Sequence, residues 1–301
     1  MKSLSTFFAV FAILLGVGSA SAAESVLVTL ATVEQVQAPA WRQRDGEVRP
    51  LAPGMELRSG DQVRTGADAR VYLRLAEGSR VKLGENASFA MHSRSLAPQR
   101  LFKGALDVLT GAFRFTTGAL ARVRGQRELQ IRVATATIGI RGTDVWGKAA
   151  QERDLVALIE GQIELSRNGI AVPIAPMQYL DAAKGGEAEV RLLDAATLAQ
   201  IARETEIERG DGAMQVLRSG KSSAPWLVSL ARAESSNAAL ALFDHAREAG
   251  YAATIRPISQ DNAWRYDVLL RGFASADDAR RAAERLQRDT GLIPRVILLS
   301  D

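Results

Sequence analysis

This 301-residue chain has only two histidines, His92 and His245, and no cysteine. Neither histidine has a second ligand at zinc-site spacing, and no nucleophile elbow, phosphate-binding glycine loop or H-E-x-x-H motif occurs. Nothing in the sequence pairs Asp61 with Asp144 as acid and base. We therefore expect no catalytic residue, no metal site and no cofactor; an enzyme would need a carboxylate cluster assembled by the fold.

A pattern suited to binding lies near the C-terminus. Val228 and Leu230 recur forty positions later as Val268 and Leu270. Successive side chains of a strand point to opposite faces, so the residues between these apolar ones, Leu269 among them, should point away from the core. Such a face suits an extended ligand better than a pocket does. The predicted ligand-binding residues are Leu227, Ser229, Arg265, Asp267, Arg295 and Ile297.

The elements that would position these residues form a half-repeat. A polar cluster beginning at Ser235 or Ser275 follows each strand, and a helical run then ends near Gly250 or Gly291. The following apolar strands are predicted over 251–255 and 296–299. Strand–helix–strand twice predicts an α+β, ferredoxin-like βαββαβ domain over residues 224–301.

Residues 25–183 carry the signals of short strands. Val71, Leu73 and Leu75 alternate with polar residues, and Asn168-Gly169 is a strong hairpin dipeptide, because both turn residues need positive φ. The spacing predicts an all-β roll or sandwich, so the chain as a whole should be multidomain.

Residues 1–22 have the pattern of a secretory signal, with Lys2, an apolar run and an Ala20-Ser21-Ala22 cleavage site. We expect cleavage after about Ala22, a periplasmic location and no stable membrane insertion afterwards. Residues 184–223 should form a connector, with Asp194 capping a helix that exposes Glu204, Glu206 and Glu208. A flexible tether follows over 219–225.

The formal net charge is +4. Export, and the lack of interleaved aromatic and basic residues, argue against nucleic acid as a partner. One basic cluster is either a solvated loop or a contact for anionic wall polymers or lipid head groups. Its members are Arg114, Arg122, Arg124, Arg127 and Arg132.

The order of motifs from Pro50 to Leu165 resembles the FecR-type periplasmic domain. The resemblance implies an all-β, non-catalytic domain used in envelope sensing and scaffolding. FecR-type regulators that signal across the inner membrane need a spanning helix, and a cleavable signal stands here instead. Arg141 is either part of a ligand site or a clamp for turn carbonyls or Asp144. The motifs include Gly54-x-x-Leu57, Ser59-Gly60-Asp61-x-Val63-x-Thr65-Gly66, Glu77-Gly78-Ser79, Thr135 to Asp144 and Glu160-Gly161.

The C-terminal unit resembles the SPOR (sporulation-related repeat) domain, through Trp226-x-Val228-x-Leu230 and Tyr266-x-Val268-x-Leu270-x-x-Phe273. The resemblance implies non-catalytic binding of peptidoglycan stripped of its stem peptides, often at the division septum. The sequence departs from the family pattern at Ser229, where glutamine is usual, and at Asp267, where arginine is common.

Two hypotheses follow. In the first, the protein binds peptidoglycan glycan strands through its C-terminal sheet and presents a FecR-like domain. In the alternative, it is an interaction module for envelope proteins in signalling or assembly, and the SPOR-like unit is only structural.

Overall fold

The computed structural model describes residues 29–93, 102–118, 127–216, 226–260 and 263–299; the predicted signal sequence and the tether lie outside these ranges. Fifteen strands form the N-terminal part of the described chain. They are β1 (Thr29–Gln37), β2 (Ala40–Arg44), β3 (Glu47–Pro50), β4 (Glu56–Arg58), β5 (Gln62–Thr65), β6 (Arg70–Leu75), β7 (Arg80–Leu83), β8 (Ser88–Ser93), β9 (Phe102–Thr116), β10 (Arg127–Val133), β11 (Ala136–Ala149), β12 (Arg153–Arg167), β13 (Ile170–Ala171), β14 (Gln178–Ala183) and β15 (Ala188–Leu192).

The long strand β9 organises this β domain. It pairs with β7, β8 and β11 in antiparallel fashion and with β10 in parallel. The alternation predicted for β6 is confirmed, since Val71, Leu73 and Leu75 are buried and the residues between them are partly exposed. The N-terminal part is thus all-β, as the sequence predicts.

Turn residues of the β domain act structurally. The buried Asp61 carboxylate accepts the Arg58 backbone N–H at 2.8 Å and hydrogen bonds from Nε and Nη2 of Arg44 at 2.5 and 2.6 Å. Asn168 and Gly169 have φ values of 51° and 80°, as a type I′ turn requires. These contacts account for the turn motifs without any ligand.

The C-terminal unit runs β17 (Trp226–Ala233), α2 (Ser236–Glu248), β18 (Thr254–Gln260), β19 (Ala263–Phe273), α3 (Ala276–Thr290) and β20 (Arg295–Leu298). Its antiparallel strands lie in the order β18–β19–β17–β20. Val228, Leu230, Val268 and Leu270 are buried in the core together with helix residues such as Leu286. Both helices therefore cover one face of this sheet.

The helix ends match their sequence signals. Ser235 accepts the Ala238 backbone N–H and Ser275 accepts that of Asp278, so each serine caps its helix. The strand after α2 begins later than predicted: the Tyr251 N–H bonds to the Ala246 carbonyl and closes the helix end. Residues 251–253 therefore lie between α2 and β18, which starts at Thr254.

The predicted connector range 184–223 includes β15, which pairs with β14 and so belongs to the β domain; the helical part of the connector is α1 (Ala195–Thr205), capped by Asp194 as predicted. It packs against β9, burying Ile201 and Thr205. Two glutamates expected in solvent are instead bound: Glu204 pairs with Lys148 at 2.8 Å, and Glu206 accepts from Lys82, Tyr72 and Arg114. That expectation is wrong because the β domain presents cations where the connector passes.

The Glu206 cluster should make connector docking sensitive to acid. Burial opposes ionisation of Glu206, but hydrogen bonds from Lys82 and Tyr72 outweigh it and lower the carboxyl pKa. A carboxylate with a lowered pKa stabilises the fold above its unfolded pKa and stops doing so as pH falls through its folded pKa. We expect Glu206→Gln to cost about 1–3 kcal/mol of unfolding free energy at pH 7.

Urea unfolding of both proteins at several pH values measures this difference, which should shrink as pH falls below the ordinary glutamate pKa of 4.5. Glu208→Gln is the control, because Glu208 is exposed. A cost for Glu206→Gln that is the same at all pH values would contradict the assigned role.

The two folded parts share a short strand, β16 (Met214–Gln215). Gln215 lies opposite Gln35 of β1, while Met214 lies opposite both Val36 of β1 and Phe273 of β19. Further along the interface, Asp278 Oδ1 accepts the N–H groups of Gly210 and Gly212 at 2.9 and 3.3 Å. β16 thus joins the sheets of both domains.

A second contact between the domains centres on Trp41. Its indole N–H donates to the Glu248 carbonyl at 3.4 Å, and the Ala40 N–H donates to the Gly250 carbonyl at 3.2 Å. A Cβ built on Gly250 would lie 2.6 Å from the Trp41 ring. Glycine is therefore required where Gly250 meets Trp41.

Candidate binding face of the C-terminal sheet

The face of the C-terminal sheet turned away from α2 and α3, called here the outer face, contains every candidate residue. Cross-strand partners fix its membership, since opposed residues share a face. Ser229 lies opposite Leu269 and Arg295, Leu227 lies opposite Ile297, and Arg265 lies opposite Ile258. By these registers the outer face comprises Leu227, Ser229, Arg232, Thr254, Arg256, Ile258, Arg265, Asp267, Leu269, Arg271, Arg295 and Ile297.

The predicted residues differ in how accessible they are. Leu227, Leu269 and Asp267 are only 4%, 2% and 7% exposed. Ser229 and Arg265 are partly exposed, whereas Arg295 and Ile297 are exposed. A ligand on this face would meet the edge strand β20 and the long polar side chains before it reached Leu227 and Leu269 at the centre of the face.

Two arginines of the outer face form ion pairs. Arg232 binds the Asp267 carboxylate through two N–H groups at 2.7 and 3.2 Å, and this bond raises the pKa of the Arg232 guanidinium. Arg265 pairs with Glu234 at 2.8 Å. Asp267 is therefore engaged within the sheet and is poorly placed to accept hydrogen bonds from a ligand.

Three exposed arginines, Arg256, Arg271 and Arg295, remain on the outer face with no ion pair to another described residue. With Arg232 and Arg265 they make five cations against two carboxylates, Asp267 and Glu234. The face is therefore basic, although the whole chain has a net charge of only +4.

Simple alternation misses Arg232, because a bulge between Ser229 and Ala231 shifts the register of β17 by one residue. The predicted strand ends at residue 255, whereas β18 continues to Gln260 and so adds Arg256 to the face; Arg271, which the prediction does not include, lies near the end of β19. The available signal was Arg232 itself, a charged side chain at a position that strict alternation sends into the core.

Within the described chain, the contacts of the connector and the β domain lie elsewhere than on the outer face. Helix α1 packs on β9, and the β domain meets Gly250 at the end of α2 and Asp278 on α3. The connector and the β domain thus lie on the helix side of the C-terminal unit, so these contacts leave the outer face open.

The other candidate groups serve structural roles where they are described. His92 lies 3.4 Å from Asp107, and His245 contacts the Thr290 carbonyl at 3.0 Å. Asp144 pairs with Arg114, and Arg132 binds Asp107. Among described residues, no group of three His, Cys, Asp or Glu side chains could hold a metal ion.

Arg122 and Arg124 lie outside the described ranges, as do the side chains of Arg127 and Arg141. Among described residues, no helix is long and apolar enough to cross a membrane.

Two family models match the chain in sequence order. One, described as FecR protein, matches residues 61–164, and the other, described as SPOR domain, matches residues 222–294. The protein therefore combines an all-β FecR domain with a C-terminal SPOR domain. Both are typical of cell-envelope proteins, and the SPOR domain indicates peptidoglycan binding.

Two crystal structures of a candidate anti-sigma factor from Parabacteroides distasonis ATCC 8503 resemble parts of the chain. The 1.65 Å structure is 16% identical with a TM-score of 0.38, and the match covers 46% of this chain and 62% of the other. The 2.50 Å structure is 14% identical with a TM-score of 0.39, and the match covers 80% and 98%. No curated protein matches the chain.

Proposed function

We propose that this protein is a non-enzymatic periplasmic binder of peptidoglycan glycan strands. The ligand lies on the outer face of a ferredoxin-like C-terminal domain, and the FecR domain is presented beside it. The observation that carries the proposal is the open, basic outer face, on which Arg256, Arg271 and Arg295 form no ion pair with a carboxylate of the described residues. The SPOR match over residues 222–294 supports the same ligand class.

The charge of the face favours glycan strands without stem peptides. An amidase that removes a stem peptide leaves a free carboxylate on the lactyl group of muramic acid, so the denuded strand is a regularly spaced polyanion. Guanidinium groups bind carboxylates through two parallel hydrogen bonds. Arginines on three different β-strands, β18, β19 and β20, can meet carboxylates at successive points along such a glycan chain.

The apolar part of the face complements these charges. Ile258 and Ile297 lie near opposite edges of the sheet, on β18 and β20. Sugar rings present C–H groups as well as hydroxyls, so an apolar side chain next to an arginine suits them. A face of this kind gives moderate affinity for a long ribbon, because the ligand stays partly in water.

Co-sedimentation of the full protein with purified sacculi tests the proposal. We expect binding to amidase-treated sacculi to exceed binding to untreated sacculi, and to weaken as salt rises from about 50 to 300 mM, because exposed charges are screened. Amidase-treated sacculi with their lactyl carboxylates amidated are the control and should bind little. Equal recovery of the protein in the supernatant with every preparation would overturn the proposal.

A second candidate function, an envelope signalling or assembly module, is favoured by the contact between the domains. β16 pairs with both β1 and β19, and Trp41 packs against Gly250. A ligand on the C-terminal sheet could thereby alter the β domain. Hydrogen exchange tests this: the amides of Val36 and Ala40 should change their exchange rates when denuded glycan is added. Unchanged rates at saturating glycan would contradict a signalling role.

A further inference from the structure

The last strand of the β domain, β15, has one open edge. It covers Ala188–Leu192, and among the described residues it pairs only with β14. All five of its residues are exposed, including Val190 at 37% and Leu192 at 77%. A strand edge with apolar side chains and unpaired backbone groups is a template for another strand.

The hairpin geometry shows which backbone groups face outward. The Ala183 N–H bonds to the Glu187 carbonyl, and the Leu193 N–H bonds to the Met177 carbonyl. Hydrogen-bonded pairs recur every second residue in an antiparallel ladder, so Glu189 and Arg191 direct their backbone groups towards β14. The N–H and C=O groups of Ala188, Val190 and Leu192 therefore point to the open edge.

The sequence of this edge is complementary to itself. If a second copy pairs in antiparallel fashion with Val190 opposite Val190, Glu189 falls opposite Arg191 of that copy, and Arg191 opposite its Glu189. These charges occupy a non-hydrogen-bonded pair, where opposed side chains lie closest. On the opposite face of the strands, Val190 then meets Val190 of the second copy and Leu192 meets its Ala188. These contacts continue the apolar row that begins at buried Leu180.

We propose that two copies of this protein associate through β15, joining their β-domain sheets across a two-fold axis. In this pairing the backbone of Val190 bonds to Val190 of the other copy, and Ala188 of each copy bonds to Leu192 of the other. Within one copy Arg191 already binds Glu189 at 2.7 Å, so pairing extends an existing ion pair into a four-charge ladder. A partner of unrelated sequence would satisfy the backbone edge without matching this alternation of charge.

The interface is small, and the dimer is therefore weak. A five-residue strand pair falls short of the roughly 800 Å² per partner that a stable complex usually buries. Dissociation constants in the region of 10–500 µM are expected for contacts of this size. Such a dimer forms where copies are concentrated, for example side by side on one polymer.

Sedimentation velocity of the full protein over this concentration range measures the association. Glu189→Arg and Arg191→Glu should each weaken it about tenfold or more, because like charges then face each other. An equimolar mixture of the two variants should form a heterodimer at least as tight as the wild-type dimer, since every opposed pair is again of opposite sign. The mixture also controls for misfolding of either variant.

Arg64→Glu is the matched control, because Arg64 is an exposed arginine of β5 in the same domain and forms no ion pair with another described residue. It should leave the dimerisation constant unchanged. A wild-type protein that stays monomeric across the whole range would overturn the proposal. So would variants that dimerise like the wild type, or a mixture with no recovery of association.

Discussion

Replacing Arg256, Arg271 and Arg295 together by glutamate is expected to abolish binding to amidase-treated sacculi. All three side chains are exposed on the outer face and form no ion pair with another described residue. Each reversal replaces an attraction to a glycan carboxylate by a repulsion, worth about 1 kcal/mol at an exposed site. Three reversals should weaken binding roughly a hundredfold or more, which co-sedimentation at a series of protein concentrations measures.

The matched control changes the net charge by the same amount elsewhere. Arg64, Arg209 and Arg280 are also exposed, but lie on β5, the connector and α3. Their replacement by glutamate should leave binding nearly unchanged if the outer face carries the ligand. Equal losses in the two triple variants would show that total charge matters and the face does not. If the outer-face variant still binds, these arginines are not the glycan-binding residues.

Gly250→Ala should separate the two domains. Gly250 has a φ of +86°, and an added Cβ would meet the Trp41 ring at 2.6 Å and Pro39 at 2.8 Å. The positive φ alone costs about 1 kcal/mol, and forced overpacking adds about 1–3 kcal/mol. We expect a total loss of about 2–4 kcal/mol in the unfolding free energy measured in urea. The radius of gyration from small-angle scattering should rise as the contact opens.

Gly291→Ala provides a control with the same backbone strain and no clash. Gly291 follows α3 as Gly250 follows α2, its φ is +72°, and an added Cβ would have no atom within 4 Å. It should cost only about 1 kcal/mol and leave the radius of gyration unchanged. In the Trp41→Ala background, Gly250→Ala should lose the part of its extra cost that the indole ring causes and keep the part that comes from Pro39. If the losses of unfolding free energy from Gly250→Ala and Trp41→Ala simply added in the double variant, the proposed clash would be contradicted.

Local patterns in the sequence predicted much of the C-terminal unit. Its core follows from two short apolar alternations around Val228 and Val268, and its helix ends follow from Ser235, Ser275 and the glycines after each helix. These features depend on neighbours a few residues apart, which a sequence displays directly. The same alternation predicts that the six candidate residues share one sheet face, and the strand registers place them there.

The charge arrangement of that face was less accessible to prediction. Whether Asp267 is free depends on Arg232, and the two are opposed only because a bulge lies between Ser229 and Ala231. A bulge has no reliable sequence signal, and one residue of shift exchanges the two faces. The ion pairs of Glu206 were missed for a related reason: Lys82 and Arg114 are distant in sequence and meet it only after the connector docks.

The strand β16 also has a mechanical consequence. It holds β1 through two residue pairs and β19 through one, so few backbone hydrogen bonds connect the two sheets there. If the C-terminal domain were anchored to a wall polymer while the β domain was pulled, the load would fall on this short strand and on the contacts of Asp278 and Trp41 before it reached either core. The protein would then yield by parting at these few contacts with both domains still folded, so the junction at β16 would limit the force that either core experiences.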